Sequence, residues 1–125
     1  MRRDLLASLA LLVVVAAPAH AAGAAFAVCA AAAHGATFPL LHCYAIELKA
    51  SEEAMASALT KAERATRDPK TLDFLERSQS AWSDYRDAWC EARVPRSGSL
   101  ARIELMACRL AETQRRMAEL RALIR

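Results

Sequence analysis

The chain has 125 residues and a net charge of +3, too evenly balanced to indicate a nucleic-acid partner. Its 55% hydrophobic content overstates the core, because the first residues and the alanines after them supply much of it. No internal repeat is visible, so a solenoid or array is excluded.

Arg2 and Arg3 open the chain, an apolar run follows from Leu5 to Ala17, and Pro18 precedes a small-x-small site, Ala19-His20-Ala21. That is the layout of a secretory signal peptide, residues 1–21, cleaved after Ala21. The run is about 13 residues, short of the roughly 20 a membrane span needs. Cys29 lies well past it, and Val28 stands where a lipidated protein carries a small residue. The expected product is a soluble periplasmic or secreted chain with no membrane contact. It has 15 basic and 13 acidic side chains, a net charge of about +2.

Residues 22–40 are alanine-rich and weakly patterned, and read as an N-terminal arm and loop, helical in part. The helical domain is expected over 41–125. No Gly or Pro occurs between Leu40 and Asp68, and Leu41, Tyr44, Leu48, Met55 and Leu59 recur near helical spacing. This predicts a first helix over about 41–66. Glu52 and Glu53 read as a first turn of solvated helix. Asp68 can cap a second helix with Pro69 at its first position. Its seam runs Leu72, Leu75, Gln79, Trp82, Arg86, Trp89, in steps of three and four, with Tyr85 at the border. Pro95 and Gly98 end it. Ser99 is the expected cap of a third helix with the seam Ile103, Met106, Leu110, Thr113, Met117, Leu120, Ile124. The reading is all-α: a small antiparallel three-helix bundle.

Cys29, Cys43, Cys90 and Cys108 make an even count in a short exported chain, which reads as a disulfide framework. Four cysteines allow three pairings, and spacing does not choose among them. The local pairing, Cys29–Cys43 and Cys90–Cys108, is preferred. The first bridge closes a segment containing Gly35 and Pro39, and the second staples two consecutive helices. Each closes a loop worth roughly 3 kcal/mol in the chain-entropy account. The cysteines would sit level only if the connection near residue 97 is lopsided. No C-x-x-C or H-x-x-x-H spacing suggests a metal, and His34 and His42 read as loop residues. There is no cofactor motif and no nucleophile–base–acid set, so no enzyme is expected.

A charge on an apolar seam is costly unless paired. Arg86 is therefore read as a structural arginine, its stem in the seam and its head paired. Glu112 is the first candidate partner, with helix carbonyls or Glu47 as alternatives. The competing reading is a ligand-facing cation between indoles. Trp82 and Trp89 read as core and Gln79 as a polar layer fixing register, with Trp82 level with Arg116.

Gln79, Trp82, Tyr85, Arg86 and Cys90 form Q-x-x-W-x-x-Y-R-x-x-x-C. After Gly98 and Ser99, Cys108, Thr113, Arg116 and Leu120 form C-x4-T-x-x-R-x3-L. Over about residues 29–121 this resembles the lysozyme inhibitor LprI N-terminal domain family of small exported helical proteins. The first helix departs from the family pattern at Met55, Ala56 and Leu59, where a Leu-Asn pair and an aromatic are usual.

The resemblance implies a lysozyme inhibitor that acts by protein–protein binding. A muramidase cleft holds two carboxylates. The segment carrying Arg93, Arg96, Ser97 and Ser99 is the candidate binding loop, preorganised by a Cys90–Cys108 bridge. A charge of +2 offers no long-range attraction to a basic lysozyme. The alternative is a periplasmic binding or envelope-stress module that holds another protein on a bundle face. The sequence does not specify an oligomeric state.

Overall fold

The computed structural model describes residues 20–94 and 97–124. Most of the expected signal peptide, and Arg96 of the expected loop, lie outside the described residues. Four helices follow one another: α1 (His20–Ala32), α2 (Thr37–Ala65), α3 (Pro69–Arg93) and α4 (Ser99–Ala122). No strand occurs among the described residues.

The count is four where three were expected, because much of the expected arm and loop is helical. Alanine is the strongest helix former, so α1 needs no amphipathic pattern to form. It needs an attachment, and the Cys29–Cys43 bridge supplies one. The chain reverses at His34 and Gly35, both with positive φ. The helix α2 then begins at Thr37, four residues earlier than expected. Pro39 sits in its first turn, where a backbone N–H has no intrahelical acceptor to lose.

The closest helix pair is α2 with α4. Six residues are buried on α2: Cys43, Glu47, Leu48, Ser51, Ala58 and Ala62. Half of them are Ser or Ala, which let two helices approach. Ala58, Ala62, Leu75 and Leu120 form the core cluster, and Met55, Leu59 and Met117 pack against it. Leu120 is fully buried there.

On α3 only Leu75 and Cys90 are buried. Asp68 caps this helix by accepting from the Thr71 backbone N–H at 2.8 Å and the Thr71 hydroxyl at 2.6 Å. These bonds, the hydroxyl first, hold its carboxyl below the usual value. The expected core position of Trp89 is not realised, since Trp89 is 41% exposed. A 3-4 seam drifts by about 20° per heptad on a straight helix. By the third heptad the inward direction has passed to Cys90, which is fully buried, and Trp89 has rotated out. Trp82, on the same edge, is half-buried.

The cap of α4 is Gly98, one residue before the expected Ser99, with φ 99° and ψ 170°. On α4, Ala101, Leu110, Glu112, Thr113 and Leu120 are buried. Ile124, at the end of the expected seam, is 39% exposed.

Candidate functional site

Two arginines cross the interfaces of α3. Arg86 Nη1 donates to Glu52 Oε1 on α2 at 2.8 Å and to Thr113 Oγ1 on α4 at 3.1 Å. Its Nε donates to Asp87 Oδ1 at 3.0 Å. Burial works against the charge, but the bonds to Glu52 and then Asp87 outweigh it, and the guanidinium pKa is raised. Its carbon lies 5.4 Å from the Trp82 ring centroid. About two turns away along α3, Arg116 Nε on α4 donates to Gln79 Oε1 at 3.0 Å and Nη2 to Ser78 Oγ at 2.9 Å. Arg116 Nη1 pairs with Glu119 at 3.0 Å. Gln79 also reaches Met55 Sδ on α2 at 3.8 Å.

Three expectations about these residues are corrected. Glu112 does not pair with Arg86; its carboxylate takes Arg115 Nη1 of its own helix, at 2.9 Å and 3.1 Å. Adjacent helix positions point about 100° apart, so where Thr113 faces α3, Glu112 faces elsewhere. Glu47 does not pair with Arg86 either. Glu52 lies well inside α2 and carries the Arg86 ion pair, so it is not a solvated first-turn acid. Arg116, expected level with Trp82, donates to Gln79 and Ser78, three and four residues before it on α3. With their donors engaged inside the protein, Arg86 and Arg116 serve as a polar seam between helices.

A different surface lies where α3 ends and α4 begins. The Cys90–Cys108 bridge joins the two helices there, across 18 residues. Tyr85 and Trp89 stack with centroids 6.2 Å apart and an interplanar angle of 12°. The Arg93 guanidinium lies 5.4 Å from the Trp89 ring. At the start of α4 a cleft of about 510 Å³ opens, lined in part by Glu91, Val94, Ser97, Ser99 and Arg102, and the Tyr85–Trp89–Arg93 stack is not part of its lining. Arg102 also lies over the exposed Phe38 ring of α2, at 5.7 Å. The candidate loop residues Arg93, Ser97 and Ser99 are all exposed at this corner.

Sequence reasoning missed Arg102 and Phe38, which come from outside the loop. It also placed Trp89 inside. The drift of the α3 seam was the available signal for that side chain.

Among the described residues, no three His, Cys, Asp or Glu side chains are grouped to hold a metal ion. No helix among them is long and apolar enough to cross a membrane. These features define a small all-helical domain with two disulfides and an exposed aromatic–cationic corner. The chain belongs to the lysozyme inhibitor LprI family, whose model matches residues 29–120. That span holds all four cysteines, the polar seam and the corner. No curated protein sequence and no solved structure matches the chain.

Proposed function

We propose that the mature chain is an exported inhibitor that binds a muramidase through the corner between α3 and α4. Residues 1–21 are removed on export, and the rest forms one domain in the periplasm or outside the cell. Two disulfides fit such an oxidising compartment. Consecutive helices run antiparallel. The pairs Cys90–Cys108, Arg86–Thr113 and Gln79–Arg116 support this, since numbers fall along α3 as they rise along α4.

The family match is the observation that carries the function. Geometry supports the place. Arg93 and Arg102 bring positive charge to one corner, suited to the paired carboxylates of a muramidase cleft. Ser97 and Ser99 add hydroxyl donors, and Trp89 with Tyr85 supplies the rigid aromatic area on which tight interfaces rely. The Cys90–Cys108 bridge fixes the corner before binding, which lowers the entropic cost. The domain acts by occupying a cleft and catalyses nothing.

The test is muramidase activity against increasing oxidised protein, at low and moderate salt, with chicken-, goose- and invertebrate-type lysozymes. Stoichiometric loss of activity with at least one class is expected. Full activity with all three would remove this reading.

A second reading, a binding or envelope-stress module without lysozyme activity, is favoured by Phe74. This ring is 51% exposed and flanked by Lys70 and Arg77. It lies 15 residues from Trp89, or about 22 Å along the helix. An aromatic–cationic patch so far from the corner suits a partner laid along α3. Capture of a periplasmic protein that Phe74→Ala releases, without muramidase inhibition, would favour this second reading.

A further inference from the structure

Glu47 is 6% exposed and has neither hydrogen bond nor ion pair with any described residue. A carboxylate in that position is costly unless a cation reaches it. Its oxygens are not sealed: among the described residues, the one fully enclosed side-chain polar atom without a hydrogen bond is Arg109 Nε. Glu47 borders a cleft of about 350 Å³ between α1, α2 and α4, with Phe26, Tyr44, Ala107, Leu110 and Gln114 among its walls. The surface is mostly apolar, and no basic side chain lines it.

The chemistry of the walls is selective. Phe26 and Tyr44 have ring centroids 4.8 Å apart at 55°, a tilted pair of the kind whose electron-rich faces attract a cation. Tyr44 and Glu47 stand three residues apart on α2 and share a side of that helix. The Cys29–Cys43 bridge, one residue from Tyr44 and three from Phe26, holds α1 against α2 and keeps the Phe26 ring in place. Leu110 and Ala107 present an apolar wall to an alkyl stem.

We propose that this cleft is a binding site for an alkyl cation, the lysine or arginine side chain of a protein partner. The stem lies on Leu110 and Ala107, the charged head against Phe26 and Tyr44, and Glu47 supplies the counter-charge. The site shares no lining residue with the corner cleft. Its failure would therefore leave the muramidase reading standing, and the reverse also holds.

The test is a titration of the oxidised mature chain with n-butylammonium and n-butylguanidinium chloride, with n-butanol as neutral control, followed by NMR. Saturable shifts at Phe26, Tyr44 and Leu110 are expected with both cations and none with butanol. Glu47→Gln should bind at least about tenfold more weakly while melting no lower than wild type. Phe26→Leu, which keeps the carboxylate, should also bind more weakly. Three results would overturn the proposal: no saturable shift, equal binding by Glu47→Gln, or a Glu47 carboxylate already paired with the mature chain's own terminal ammonium.

Discussion

Arg86 Nη1 lies 2.8 Å from Glu52 Oε1, and this contact ties α3 to α2. The two ends of the pair differ in exposure: the Arg86 side chain is 11% exposed and that of Glu52 is 43%. The charge is therefore held in the seam by a partner that still touches water. Arg86→Met keeps the stem volume and removes the donors, while Thr113 keeps its own bond to the Arg109 carbonyl. A loss of about 1–3 kcal/mol in urea unfolding is expected. In a cycle with Glu52→Gln the coupling should be about 1 kcal/mol. A coupling near zero would show that the contact does not hold α3.

Gly98 turns the chain into α4 with a backbone that side-chain-bearing residues rarely adopt. A Cβ placed there would meet nothing within 4 Å, so any penalty comes from the backbone alone. Gly98→Ala should cost about 1–3 kcal/mol and loosen the corner. Wild-type stability in this variant would mean that the turn can relax at little cost.

The helix α1 shows how a bridge can substitute for an amphipathic face. With Cys29 and Cys43 both changed to Ser, the main attachment of α1 is gone. Amide exchange in α1 should rise by orders of magnitude, while Ala62 and Leu120 in the core cluster keep their protection. Unchanged protection of α1 would mean that the Phe26–Tyr44 contact suffices to dock it.

Asp68 gives a pH dependence of known sign. Its folded pKa is depressed by the Thr71 hydroxyl and backbone N–H, so the unfolded chain takes up a proton first. The stabilisation is present above the ordinary carboxylate pKa and is lost as pH falls through the folded value. Between about pH 4 and about pH 2, the melting temperature of wild type should fall more steeply than that of Asp68→Asn. Parallel curves would remove the cap from the acid response.

The parts of this fold that the sequence discloses are those marked by chemistry. Asp68 and Pro69 mark the start of α3, and Gly98 and Ser99 bracket the start of α4, although the cap falls on Gly98. The parts that escape it are marked by small residues or by geometry. The alanines of α1 carry no pattern that separates helix from arm. Ser51, Ala58 and Ala62 are buried on α2, yet none stands out as apolar at helical spacing. The exposure of Trp89 follows from the slow rotation of a seam rather than from the identity of any one residue. The partner of Arg86 depended on which of two adjacent α4 residues faced α3. Glu52, a further helix away, left no local mark.

The central claim is that the signature residues hold the domain together and the corner beside them does the binding. The most direct test is the affinity for an inhibited muramidase of Arg86→Met and of Trp89→Ser combined with Arg102→Ser, each measured by calorimetry below its melting temperature. The expected result is near wild-type affinity for Arg86→Met and a loss of at least about tenfold for the corner variant, whose melting stays close to wild type. A corner variant that binds as wild type does, or a folded Arg86→Met that has lost binding, would contradict the claim.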